Sequence, residues 1–129
     1  MKIKIDYHSG KPVYRQIVEE FVKAIGRGEF SDNDPLPSVR DLAESLSVNP
    51  NTVAKAYREL EREGYVYSRP GVGIFTKLSK EKIEKIVLLE LKKRIKREIE
   101  FALSHGISKE KCRKVINTLL EEIKNERDC

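Results

Sequence analysis

Apolar residues recur at steps of three and four along most of this chain, and the breaks in that rhythm divide it into elements. Residues Lys2 to Tyr7 alternate basic and apolar side chains (Ile3, Ile5, Tyr7), which predicts a short extended lead-in. Val13, Tyr14, Ile17, Val18, Phe21 and Ile25 then share one helical face. Ser9-Gly10-Lys11-Pro12 predicts the start of that helix, with Pro12 in the first turn, where its missing N–H does no harm; Gly26 and Gly28 predict its end. Ser31 to Pro37 (SDNDPLP) is rich in turn formers and reads as a loop. Ser38 is a good N-cap, followed three residues on by Asp41, and Val39, Leu42, Ala43 and Leu46 form the inner face of a short second helix.

Ser47 and Val48 turn the chain. Asn49 and Pro50 then give a clear start to a third helix, whose buried stripe is Val53, Ala56, Tyr57 and Leu60 and whose stop is Gly64. Tyr65 to Arg69 and Gly73 to Lys77 are β-prone and flank Pro70-Gly71-Val72, which predicts a hairpin with a tight tip. From Ser79 the pattern becomes long and helical. Ile83, Val87, Leu91, Ile95 and Ile99 follow a four-residue step, widened by Ile86, Leu88, Ala102 and Leu103. His105-Gly106 breaks that helix, Ser108 caps another, and Cys112, Val115, Ile116, Leu119, Leu120 and Ile123 form its seam. The order helix, turn, helix, hairpin over Leu36–Thr76 predicts a winged helix-turn-helix, which places one helix in the major groove of DNA. The fold class expected is mainly α with a small β-hairpin wing. Residues 1–78 form the winged helix-turn-helix head and residues 79–129 a two-helix tail for dimerisation.

Composition adjusts this picture without overturning it. A chain of 129 residues makes one ordinary domain or a small head with an appendage, and pieces of half that length are marginal alone, which favours oligomerisation. Charged residues are 36% and aromatics 7%, with no Trp, which argues against a large aromatic ligand pocket. The net charge of +5 is compatible with a polyanionic partner, but its distribution is a caution. Residues 1–78 hold 12 Lys/Arg against 11 Asp/Glu, and residues 79–129 hold 14 against 10. The head therefore cannot rely on bulk positive charge, and acids such as Glu59, Glu61 and Glu63 must lie on other faces than the one that meets DNA. Cys112 and Cys129 make neither a disulfide framework nor a metal spacing; Cys112 reads as a small core residue and Cys129, the last residue, as mobile. No signal peptide or membrane-length apolar run is present, so the expected place of action is the cytoplasm.

A helix that reads DNA needs small polar or basic residues at its N-terminal end and first outward turns. Asn49, Asn51, Thr52 and Lys55 fit, with Arg58 one turn on. In isolation, Asn49 and Thr52 would serve as caps and Lys55 as a solvated charge; embedded between a capped helix and a hairpin, the DNA reading is the better one. Ser38 and Arg40 open the second helix, where Arg40 suits a phosphate clamp or, less readily, an ion pair with Asp41 or Glu44. Gly71 and Gly73 serve the turn of the hairpin whatever it binds, and also let its tip approach a sugar–phosphate wall, with Arg69 at the minor groove. The run Lys92-Lys93-Arg94-Ile95-Lys96-Arg97 reads as the solvated side of an amphipathic helix. His8 and His105 lack ligand-spaced partners, and neither a nucleophile elbow nor a phosphate-cradling glycine loop occurs, so an enzyme, a metal site and a cofactor are not expected.

The segments LPSVRDLA, NPNTV with AYRELEREG, and GVGIF resemble the winged-helix head of GntR-family transcription regulators. The lead-in IDYHSGKPVYRQI and the short two-helix tail resemble the YtrA-like subfamily in particular. The resemblance implies a phosphate contact for Arg40, base reading by Asn49, Asn51, Thr52 and Lys55, and approach of Gly71 and Gly73 to the minor groove. Two positions depart from the family pattern. Pro50 and Ala54 stand where many members carry arginine, which shifts base reading away from arginine toward Asn49, Asn51, Thr52 and Lys55. Asn33 replaces the loop glycine before LPS; Asn tolerates a left-handed backbone, so the turn can survive. The fifty-one residues from 79 onward are too few for the pyridoxal-phosphate-binding aminotransferase-like domain of a cousin architecture, or for a large effector domain.

These readings predict a sequence-specific DNA-binding transcription regulator, a dimeric repressor on an inverted-repeat operator; the family resemblance further implies control of a nearby transporter operon. Its dimerisation seam is Ile83, Val87, Leu91, Ile95 and Ile99 with Val115, Ile116, Leu119, Leu120 and Ile123. The partners expected are double-stranded DNA, a second copy of the chain and an unidentified small-molecule effector, with no membrane. The competing reading, favoured by the near-neutral head, is a winged-helix module that binds protein without specific DNA binding.

Overall fold

The computed structural model describes residues 2–127; Cys129 lies outside them. The elements are α1 (Val13–Gly26), α2 (Val39–Leu46), α3 (Pro50–Arg62), β1 (Val66–Arg69), β2 (Gly73–Thr76), α4 (Lys80–Ser104) and α5 (Lys109–Arg127). The chain divides between Leu88 and Leu89 into two compact units.

In the first unit the apolar stripes of α1 and α3 meet. Ile17, Phe21, Ala24, Val53, Ala56 and Leu60 are fully enclosed, and Leu42, Ala43, Val66, Leu78 and Ile86 close the core around them. Phe21 packs tilted on Phe30, ring centroids 4.9 Å apart. Ile3 and Ile5 of the unpaired lead-in lie against this core, whereas Tyr7 points to solvent. Pro12 stands just ahead of α1 rather than in its first turn. With ψ at 144° it is still extended, while its carbonyl already accepts from the Arg15 and Gln16 N–H groups. Ser38 caps α2 by accepting from the Asp41 N–H at 3.0 Å. The turn from α2 to α3 runs through Ser47 at φ 55°, a left-handed residue without glycine's freedom. Asn49 caps α3, with Pro50 as its first residue.

β1 and β2 pair antiparallel, Val66 opposite Thr76 and Arg69 opposite Gly73. Arg69-Pro70-Gly71-Val72 closes the tip with a Val72 N–H to Arg69 carbonyl bond of 2.9 Å, and Gly71 sits at φ +75°, as a type II turn requires.

The segment expected to be a plain loop is tied to β2. Leu36 N–H donates to Ile74 O, Asn33 N–H to Thr76 O, and Thr76 N–H to Asp34 O. Thr76 is fully buried; its hydroxyl donates to Ser31 O at 2.6 Å and accepts from the Asp34 N–H at 2.9 Å. Asn33 adopts φ 63°, so the left-handed turn does survive without glycine. Thr76→Val keeps the side chain's size and deletes both hydroxyl bonds. It is expected to lower stability by about 1–2 kcal/mol, seen as an earlier midpoint in urea denaturation with an unchanged slope.

In the second unit, α4 and α5 are joined at Gly106, whose φ is +80°. The helix end is closed by Ile107 N–H to Ala102 O at 3.1 Å. Ile99, Cys112 and Ile116 line a groove between the two helices. Cys112 is half-buried there rather than in a core, because two helices alone cannot enclose it. Successive positions at a step of four advance about 40° around a helix, so the α4 stripe does not keep to one face. Ile83 packs on the core of the first unit, whereas Ile99 faces Cys112 and Ile116. Val87, Leu91, Ile95, Val115, Leu119, Leu120 and Ile123 are exposed in the single chain, and Ile116 is half-buried. No helix among the described residues is long and apolar enough to cross a membrane.

Candidate nucleic-acid interface

The face of α3 opposite its buried stripe carries Asn51, Lys55 and Arg58. At about 100° per residue they fall within roughly 60° of one another, and all three are exposed. Asn49 engages its side-chain oxygen in the helix cap, accepting the Asn51 N–H at 2.8 Å, which leaves its amide NH₂ for an outside partner. Thr52 is half-buried, on the flank of α3 that also carries Glu59. Ala54, half-buried on the neighbouring strip of the helix, carries only a methyl group there.

The acids of α3 are held away from this face. Glu59 accepts from Arg62 and pairs with Arg15 of α1 at 3.5 Å; Glu63 lies 3.8 Å from Arg15 and 3.9 Å from Arg62. The hydrogen bond from Arg62, then the nearby guanidinium charges, hold the Glu59 carboxyl down at about 2. Because its folded value is depressed, this pairing is complete above the ordinary carboxylate range and is lost only as pH falls toward 2. Glu61 turns to the wing, where it accepts from the Ser68 N–H at 3.3 Å and from the Ser68 hydroxyl at 3.1 Å. A head with nearly balanced charge thus presents a locally basic helix face.

Arg40 is exposed near the start of α2, and among the described residues it makes no ion pair with Asp41 or Glu44. Tyr57 fixes that end of α2: its buried hydroxyl donates to Pro37 O at 2.7 Å, and burial raises its pKa. Ser38 beside it uses its oxygen for the cap and keeps its hydroxyl proton. In the wing, the Arg69 guanidinium lies 5.9 Å from the Phe75 ring centroid, and Tyr67 stacks on Phe75 at 5.7 Å. Gly73, at φ +148°, occupies backbone that other residues rarely adopt, so both wing glycines are required by the turn itself.

The structure therefore groups Asn51, Lys55 and Arg58 on one helix face, with Asn49 at its start. It leaves Ser38 and Arg40 at a second helix end and Arg69, Gly71 and Gly73 at a hairpin tip. Sequence reasoning missed the support behind the face. Tyr14 reads as one more member of the α1 stripe, yet its ring lies under the Lys55 ammonium at 4.1 Å. Arg15, unremarked in the sequence, neutralises Glu59 and Glu63. Nothing in local spacing signals contacts across some forty residues. No His, Cys, Asp and Glu cluster among the described residues could hold a metal ion.

Comparisons with known proteins agree with the winged helix-turn-helix fold. The family model for bacterial regulatory proteins of the gntR family matches residues 13–76. The HTH-type transcriptional repressor YtrA of Bacillus subtilis (strain 168) is 35% identical over 123 residues, covering 95% of each chain. A GntR family transcriptional regulator from Listeria monocytogenes superposes with a TM-score of 0.68 at 34% identity, over 87% of this chain and 98% of that one. The DNA-binding domain of AraR, solved in complex with operator ORE1, matches at a TM-score of 0.50 and 26% identity, over 59% of this chain and 93% of its own.

Proposed function

The chain belongs to the gntR family of bacterial regulatory proteins, and on that premise we propose that this helix-turn-helix transcription regulator acts as a cytoplasmic homodimeric repressor of an inverted-repeat operator. It is a DNA-binding regulator and not an enzyme, as its relatives are. The observation that carries the finer reading is the exposed row Asn51, Lys55 and Arg58 on a capped α3 whose acids are engaged on its flanks. Asn51 reads a base edge, for which Asn pairs bidentately with adenine. Lys55 and Arg58 take guanine or phosphate, Arg40 clamps phosphate, and Arg69 with the glycine-built tip follows the minor groove. The Ser38 hydroxyl, the Asn49 amide and Thr52 add contacts at the two helix starts. Two such heads related by a two-fold axis require half-sites about 10 bp apart, or a multiple of that.

The pairing surface is the apolar side of the tail, chiefly Leu91, Ile95, Leu119, Leu120 and Ile123. Several exposed Leu and Ile side chains gathered on one two-helix unit are apolar surface that a second copy would cover. A small-molecule effector that releases the DNA would complete the regulation.

Mobility shift on the DNA upstream of the protein's own gene tests the reading. Arg40→Ala and Asn51→Ala are each expected to weaken the complex by about 1–2 kcal/mol, roughly 5–30-fold, with an unchanged melting curve. The two differ in kind. Arg40→Ala weakens all duplexes alike and reduces the slope of log affinity against log salt by about 1, whereas Asn51→Ala relaxes discrimination at one base pair. Unchanged binding by both variants would remove the assigned face. A salt response that is flat for the parent would transfer the head to a protein partner.

A further inference from the structure

We propose that Tyr14 is a positioning residue for operator reading, its ring face fixing the Lys55 ammonium beside the recognition helix. This rests on the DNA-reading function above and deepens it, because Tyr14 itself lies on α1 and outside the exposed row. The Lys55 Nζ stands 4.1 Å from the Tyr14 ring centroid, well inside the range of a cation–π contact. The Arg15 guanidinium lies 5.5 Å from the same ring, so two cations gather at one aromatic side chain. No carboxylate holds Lys55 among the described residues, which leaves the ring as its anchor.

The anchor is firm for reasons built into the fold. Tyr14 is partly buried against the core of the first unit, in the first turn of α1. Arg15, the next residue, ties that turn to α3 through Glu59 at 3.5 Å and Glu63 at 3.8 Å. A lysine on an exposed helix otherwise samples many rotamers and must give them up on meeting DNA. Held over the ring, Lys55 has surrendered much of that freedom before binding, and it is set on the α1 side of the row. The benefit is preorganisation of one contact rather than an added contact.

The full-length protein and its Tyr14→Leu, Tyr14→Phe, Lys55→Ala and Tyr14→Leu/Lys55→Ala variants are titrated with the operator and its single-base-pair substitutions. Leu keeps an apolar packing group without a π face; Phe keeps the face. Tyr14→Leu is expected to lose about 2–5-fold in affinity and Lys55→Ala about 5–30-fold, at the same operator positions. The double variant is expected to lose no more than Lys55→Ala alone, and Tyr14→Phe to bind like the parent. Nuclear magnetic resonance of the free protein supplies a readout that needs no DNA. The Lys55 ε-methylene protons are expected upfield from the ring current of Tyr14, shifted likewise in Tyr14→Phe and unshifted in Tyr14→Leu. Additive losses, a Tyr14→Phe variant as weak as Tyr14→Leu, or unshifted Lys55 protons in the parent would overturn the role given to Tyr14. Failure of the parent to discriminate among duplexes would instead overturn the DNA reading beneath it.

Discussion

Leu119→Glu is expected to leave the protein monomeric at micromolar concentration and to weaken operator binding by about 10²–10⁴-fold. Leu119 is 49% exposed in the single chain, on the apolar side of α5, so a charge there hardly disturbs the isolated fold. In the proposed dimer the same position is enclosed by a second tail, and an unpaired carboxylate taken out of water opposes association strongly. The loss for DNA follows from geometry alone. Once one head has bound its half-site, a tethered second head meets the other at an effective concentration in the millimolar range. Free monomers at laboratory concentrations fall orders of magnitude below that. Sedimentation and mobility shift read the two halves of this expectation. A variant that stays dimeric moves the interface elsewhere on the tail; one that becomes monomeric yet binds as tightly shows that a single head suffices.

Phe21→Ala should act through the head's stability instead. The ring is fully buried and packs on Phe30, and its removal leaves a cavity into which the surrounding side chains relax only partially. The expected loss is about 3–5 kcal/mol, a large share of what a small domain possesses. The variant should melt far below the parent and bind operator only as its folded fraction allows. Saturating operator should restore part of the lost melting temperature, since a ligand of the native state alone stabilises it by mass action. A variant that melts like the parent would place the ring outside the cooperative core.

These two positions also mark what sequence could reveal. Phe21 belongs to a stripe with helical spacing and Leu119 to a seam, and both patterns are local. The recognition helix was equally legible, since Asn49 as cap and Pro50 as first residue determine where α3 begins and hence which side chains face outward. The turn at Asn33 was legible as well, because few side chains tolerate a left-handed backbone and Asn is one of them. What stayed hidden lies between segments distant in the chain. Ser31, Asp34 and Thr76 are ordinary turn and strand residues until the buried Thr76 hydroxyl joins them. Tyr14 and Lys55 obey the rules of their own helices and reveal nothing of each other. In α4, a step of four read as a single seam turns around the helix, so that Ile83 and Ile99 find different neighbours.

A two-stranded ribbon has two outer rows of backbone donors and acceptors, and open rows invite strands of other molecules to add on. In this wing, residues 33–36 take up the row along β2, and the Glu61 carboxylate takes the Ser68 N–H on the row along β1. In the proposed dimer, two wings brought close on one stretch of DNA would find those backbone groups already engaged, which disfavours pairing between the wings.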